Sequence, residues 1–221
     1  MRNIAVREDI RDMILEAADR LLARYGYRKM TMEDVAQEVG IGKGTIYLHF
    51  SSKEELALSH IDRIVEHLQE RLRAIARSDA SVAVRLRLML LARVLYRFDS
   101  VQHYTQSIND VLSALRPALL ARREHYFAEE ARIFAEVLAE GKKEGTFACA
   151  DVNATANTLL LATNSLLPYS LSTRELGERE DIKEKATRIA DLLLVGLLRR
   201  ERKPDVRLKL ATETRRRTDK K

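Results

Sequence analysis

Ile10, Met13, Ile14, Ala17, Ala18, Leu21, Leu22 and Tyr25 recur in alternating steps of three and one. On an α-helix that spacing draws a single apolar stripe, whereas on a strand it would scatter the same residues over both faces. Helical spacing returns along most of the chain, and no stretch alternates apolar and polar residues for long. Only three prolines and eight glycines stand among the 221 residues, so little interrupts such helices. The expected fold class is all-α. A chain of this length can bury a substantial core unaided. Its lone cysteine, Cys149, excludes an intrachain disulfide and reads as a small buried apolar residue.

The pattern divides into nine expected helices, three before Ser51 and six after it. The first ends at Gly26, where glycine suits a helix C-terminus. Thr31 is placed to cap a short second helix on which Val35, Ala36 and Val39 share a face, and Gly40 stops it. A third helix of barely two turns follows, with Ile41, Ile46 and Phe50 inward and Lys43, Thr45, Tyr47 and His49 outward. In Ser51-Ser-Lys-Glu-Glu55, either serine finds a glutamate three residues on, so a capping box opens the next helix in either register. That helix spans about residues 53–77, with Leu56, Leu58, Ile61, Ile64, Val65, Leu68 and Leu72 on its buried side. Further helices are expected over about 82–98, 103–115, 117–140 (Pro117 in the first turn, Gly141 and Gly145 at the end), 151–167 (capped by Asp151) and 181–200. The domain reading is a head over 1–52, a body over 53–200 and a basic, low-complexity tail over 201–221.

The formal charge of +6 does not by itself make the folded part basic. Residues 199–221 hold eleven Lys/Arg against four Asp/Glu, which leaves the remainder close to neutral. A local patch does exist. Val39 to Lys53 contains Lys43, His49 and Lys53 and no carboxylate. Its Gly40-Ile-Gly-Lys-Gly-Thr45 core cannot be a phosphate-cradling P-loop, because the glycines have the wrong spacing and follow a helix rather than a strand. A helix-turn-helix accounts for it better: Ala36 lets two helices cross closely, Gly40 allows the tight turn, and Ile41, Ile46 and Phe50 hold the second helix on the first. In that arrangement the second helix enters the major groove by its N-terminal end. Gly42 and Gly44 let the backbone approach, Lys43 reaches a guanine edge or a phosphate, and Thr45 offers hydroxyl and methyl to bases. Tyr47 and His49 are better placed for phosphates. Thr31 and Lys53 flank the motif at two helix N-termini, where free N–H groups favour an anion.

Thr31, Ala36, Gly40 to Lys43, Thr45-Ile-Tyr-Leu-His-Phe50 and Lys53-Glu-Glu-Leu56 resemble the DNA-binding region of the tetracycline-repressor-like (TetR) transcriptional regulators. The resemblance covers about Arg7 to Ile61, with weaker echoes at Gly141 to Phe147 and Ala186 to Leu198. It implies a three-helix DNA-binding domain on a six-helix ligand-binding and dimerisation domain. It also implies a homodimer and an inducer cavity.

A partner subunit is expected independently from the chain's end. Leu192-Leu-Leu-Val-Gly-Leu-Leu198 is apolar on nearly every side and needs cover, as does the stripe Leu159, Leu160, Thr163, Leu166 and Leu167. The last two helices of each copy would then form a two-fold interface, and the DNA site would be a near-palindromic operator on double-stranded DNA. Tyr96, His103, Asn109, Tyr126, Phe127 and Phe134 are candidates to line a site for a small apolar or amphipathic ligand. His60, His67, His103 and His125 lack metal-ligand spacing, and neither a cofactor motif nor a convergent nucleophile and base is present, so no metal, cofactor or catalytic site is expected. No apolar run reaches the roughly 20 residues of a membrane span, which points to a cytoplasmic protein. The resulting expectation is a ligand-responsive transcriptional repressor. The competing reading is a DNA-bound structural or partner-binding protein with the same head and no inducer.

Overall fold

The computed structural model describes residues 2–101, 108–167 and 176–198. They form eight helices: α1 (Arg2–Lys29), α2 (Met32–Val39), α3 (Lys43–His49), α4 (Lys53–Ala76), α5 (Val82–Val101), α6 (Ile108–Lys143), α7 (Val152–Asn164) and α8 (Arg179–Leu197). Among the described residues the extended pairing is confined to one isolated antiparallel bridge, Phe147 with Leu198. His103, Pro168 and the tail over 201–221 lie outside the described residues, and so does the side chain of Asn109.

Gly26 takes φ 78° and ψ 164°, so the first helix breaks there as its sequence predicts, and one further turn runs on to Lys29. Ile14, Leu15, Ala17, Ala18, Leu21 and Leu22 are buried. Met13 and Tyr25 belong to the predicted stripe but are about half exposed. Met13 sits about 100° from the stripe's centre, at its edge. Tyr25 sits on the line but at the helix end, where it opens onto a shallow cleft shared with Lys29, Asp34, Gln37 and Glu38.

The head's core joins these α1 residues to Val35 and Ala36 of α2, Ile46 of α3 and Phe50, all buried. Two later helices close it. Leu56, Ala57 and Leu58 at the start of α4 belong to the same cluster, as does Leu115 of α6, with Ala118 and Leu119 packed against it. The apolar contact at α6 accounts for a difference from the sequence reading. Two helices were expected around Pro117, yet α6 runs continuously through it, so eight helices rather than nine appear among the described residues. A mid-helix proline forfeits a backbone hydrogen bond and crowds the preceding turn, at a cost of about 3 kcal/mol. Apolar residues on both sides of Pro117, Leu115 buried and Ala118 and Leu119 partly so, offset that cost by fixing one helical path.

In the body, α5 packs against α4, α6 and α8, while α7 lies on α6 and α5. Leu68 and Leu72 of α4, Leu86, Met89 and Leu90 of α5, and Ile133, Phe134 and Val137 of α6 form its centre with Leu159 and Leu160 of α7. A buried ion pair crosses this layer. The Arg93 guanidinium donates to Glu130 at 2.5 Å, to the Thr163 hydroxyl at 2.8 Å and to the Asn164 side-chain oxygen at 3.0 Å, tying α5, α6 and α7 together. Gly141 near the end of α6 is required by close approach, since a Cβ there would sit 2.2 Å from the Phe147 ring. Asp151 caps α7 by accepting from the N–H groups of Asn153 and Ala154, as expected, and Cys149 is buried.

Candidate nucleic-acid interface

The turn between α2 and α3 is built from two backbone decisions. Gly40 occupies the left-handed region at φ 77°, and its N–H together with that of Ile41 donates back to the Ala36 carbonyl at 3.0 Å. At the other end of α2, Thr31 forms a capping box: its hydroxyl oxygen accepts from Asp34 N–H at 3.1 Å, and the Asp34 carboxylate accepts from Thr31 N–H at 2.9 Å. The Thr31 cap was legible in the sequence; the Asp34 partner was not singled out there.

Gly42 is the N-cap of α3 and provides no side-chain cap. Ile46 is fully buried and Phe50, whose N–H donates to the Ile46 carbonyl at 2.9 Å, closes the far end. The Arg11 guanidinium of α1 lies 4.9 Å from the centre of the Phe50 ring, so the far end of α3 is held against α1. Anchored this way, α3 turns Gly42, Lys43, Gly44 and Tyr47 to solvent and leaves Thr45 and His49 half-buried at the margins. All six residues expected on this surface therefore share one short helix and its cap. A seventh residue joins them that the sequence reading did not single out: Leu48 is 78% exposed, the highest value among the large apolar residues described.

Two of the expected contacts are already occupied within the head. The Lys43 ammonium meets the Glu33 carboxylate of α2 at 3.0 Å; the hydrogen bond and charge of Glu33 hold that ammonium above its ordinary value. Lys53 turns inward, donating to the carbonyls of Tyr27 at 3.0 Å and Met30 at 3.2 Å beneath the Tyr27 ring, which its ammonium faces at 4.5 Å. It thereby satisfies carbonyls left open where the turn after Gly26 ends. Burial and the neighbouring Glu54 push the Tyr27 phenol up to about 12, so it stays a donor to Glu54 at neutral pH.

The start of α4 couples this surface to the body. Ser52 is the N-cap, accepting from Glu55 N–H at 3.1 Å, while the Glu55 carboxylate reaches back to Ser51 N–H at 2.6 Å. Further along α4, Asp62 accepts from both Arg122 and Tyr126 of α6. The His60 ring lies 3.3 Å from Asp19 of α1.

The candidate ligand residues are distributed unevenly. Tyr96 and Phe127 are partly buried against the body's central cluster, and Phe134 is fully buried within it. The Arg93 guanidinium stands 5.8 Å over Phe127. Tyr126 points the other way, to Asp62 on α4, and burial pushes its phenol well above the usual range. Among the described residues no cluster of His, Cys, Asp and Glu could hold a metal, and no helix is long and apolar enough to cross a membrane.

Comparison with known proteins agrees with this geometry. Residues 14–59 match the family model described as bacterial regulatory proteins, tetR family, a span that takes in α2, the turn, α3 and the start of α4. The HTH-type transcriptional activator FasR of Mycolicibacterium smegmatis is 30% identical over 145 residues, 66% of this chain and 57% of that protein. The HTH-type transcriptional repressor KstR2 of Mycobacterium tuberculosis is 28% identical over 141 residues, 62% of this chain and 68% of that protein. The structure of a transcriptional regulator from Cytophaga hutchinsonii covers 85% of this chain and 98% of its own at a TM-score of 0.72 and 22% identity, which is likeness of fold. A structure concerned with control of antibiotic production by a bacterial hormone covers 86% of this chain and 98% of its own, at a TM-score of 0.60 and 25% identity. With the helix-turn-helix matched in sequence and the helical body matched in fold, the chain carries the DNA-binding region of the tetR family of bacterial regulatory proteins.

Proposed function

We propose that the protein is a dimeric transcriptional repressor that α3 seats in the major groove of a near-palindromic operator and that a small molecule releases. The observation that carries this reading is the bare outer face of α3, held on a buried Ile46 and Phe50. Gly42 and Gly44 let the backbone approach, Lys43 exchanges Glu33 for DNA, Thr45 meets base edges, and Tyr47 and His49 contact phosphates. Thr31 contributes at the start of α2, and Lys53 has one ammonium proton left for a phosphate.

Residues 1–52 act as the reading head and 53–200 as the sensing and dimerising body, with the basic 201–221 segment as an appendage. The head's core is closed by α4 and α6, and Asp62 ties those two helices to each other. A ligand that binds better to one arrangement of α4 and α6 therefore shifts the spacing of two heads and, with it, operator affinity. Tyr96, Phe127 and Phe134, with His103, Asn109 and Tyr126, are the proposed surroundings of a small apolar or amphipathic ligand. The likeness to a structure about hormone control of antibiotic production supports a small-molecule input. Residues Leu161, Leu192 and Val195 on α7 and α8 are 61%, 73% and 59% exposed, which supports a partner copy on that side.

The test is selection of bound duplexes from a random DNA pool, with Lys43→Ala beside the unaltered protein. A two-fold symmetric motif, weakened at matching positions in the variant by about tenfold, is the expected result. Salt-sensitive binding without any enriched motif would sink the reading.

A further inference from the structure

Leu48 has no role in the head's own stability that the structure reveals, yet its place on α3 is central. Stepping about 100° per residue from the buried Ile46, Gly44 falls at about 160° and Leu48 at about 200°, so the two point directly away from the core. Lys43 and Tyr47 lie on one flank of this line and Thr45 and His49 on the other. Gly44 stands one turn before Leu48, and a Cβ at that position would have open space around it. The middle of the face is thus an isobutyl group beside a bare stretch of backbone, rimmed by polar side chains. Such a centre is an odd choice for phosphates, which offer an apolar group nothing.

We propose that Leu48 reads thymine in the operator by packing its isobutyl group on the C5-methyl that projects into the major groove. The inference rests on the DNA-reading function proposed above and adds the base that α3 distinguishes at its centre. The chemistry is restrictive: on the major-groove edge of the base pairs, the thymine methyl is the one sizeable apolar group, and apart from the small C5–H of cytosine the other positions present a donor or an acceptor. A leucine held against a cytosine amino group or a guanine carbonyl would strip water from a polar group and return no hydrogen bond. Gly44 makes the approach possible by keeping the turn before Leu48 free of side chain, so that the helix axis can sink toward the base edges. The exposed, polar rim then sets register through phosphates, as the neighbouring Tyr47 and His49 are placed to do.

The experiment begins with the most enriched duplex from the random-pool selection and replaces each thymidine in turn by deoxyuridine, which removes only the methyl. Binding is measured for the unaltered protein, Leu48→Ala and Leu48→Asn, with thermal unfolding to verify that each variant is folded. The expected result is one thymine per half-site at which deoxyuridine weakens the unaltered protein by about fourfold, the worth of one buried methyl group. The same replacement should leave Leu48→Ala unchanged, and Leu48→Asn should shift preference at that position toward adenine. If an enriched duplex is obtained but methyl removal affects the protein and Leu48→Ala equally at every thymine, the assignment of Leu48 is overturned and the DNA-reading function stands. If no duplex is enriched at all, the function on which the assignment rests is overturned and the assignment falls with it.

Discussion

Lys43 is held by Glu33 before any DNA arrives, and both residues are exposed. An exposed pair of this kind is weak, so exchanging Glu33 for a phosphate or a guanine edge costs little, but the abandoned carboxylate then stands close to the duplex. Glu33→Gln should therefore tighten operator binding by roughly threefold to fivefold at low salt, an advantage that shrinks as ionic strength rises. Gel-shift titrations at two salt concentrations check this; equal or weaker binding by the variant would show that Glu33 orients Lys43 rather than restraining it. The residue scale is also where sequence reading was most uneven. Lys43, Tyr47 and the margins at Thr45 and His49 follow from helical spacing once Ile46 and Phe50 are taken as anchors, and the structure brings them together. The same arithmetic places Leu48 opposite Ile46, but in the sequence reading Leu48 is assigned to neither face, because a leucine carries no polar signal of exposure. The tie from Lys43 to Glu33 was illegible because it crosses a turn between two helices whose crossing geometry the sequence does not give.

The chain passes from head to body at one helix start. Ser52 caps α4 while Glu55 reaches back past it to the N–H and hydroxyl of Ser51, and these bonds hold the Glu55 carboxyl below its usual range. A carboxyl depressed in the folded state contributes stability that is fully present above its unfolded value of about 4.3 and is lost as pH falls through the lower folded value. Glu55→Ala should cost about 1 kcal/mol at pH 7, lowering the melting temperature by about 2–4 °C, and the gap between the two proteins should close as pH drops below about 4. A gap that stays constant into acid would mean that the loss is one of packing rather than of the cap. Both serines were readable as caps from the glutamates three residues on, and the structure resolves that ambiguity by using one as cap and the other as partner. Helix ends carried by side chains or by glycine, such as Thr31, Gly40, Gly26 and Asp151, were legible because the signal is local. Pro117 was not: proline is a local signal for a helix start, and only the packing of Leu115, Ala118 and Leu119 against a core more than fifty residues away in sequence overrides it.

At the scale of the whole molecule, one short helix cannot supply the affinity a regulator needs. Seven residues of α3 span about two turns and reach a few base pairs, so the proposed function draws its specificity from two copies reading related half-sites. The structure leaves a surface suited to that pairing. Leu192, Val195 and Gly196 share one exposed face of α8, and Leu161 is exposed on neighbouring α7. A Cβ at Gly196 would meet nothing within 4 Å, which leaves room for a partner helix to come close to the backbone. Single exposed leucines are ordinary, but an i, i+3 apolar pair beside a bare glycine on a helix whose other side is already buried is a face without its cover. Placing charge in it by Leu192→Arg with Val195→Arg should leave the helical content unchanged, because neither side chain belongs to the core, and should shift the protein from twice 25.3 kDa to 25.3 kDa in sedimentation. Operator binding should fall with it, by on the order of a hundredfold or more, since the second head loses the effective concentration that tethering gives. Each head is untouched in the variant, so an isolated half-site should be bound as before, and the loss should be confined to the full two-fold operator. A variant that stays dimeric, or a monomer that binds the full operator undiminished, would place the partner on another face or remove the need for one.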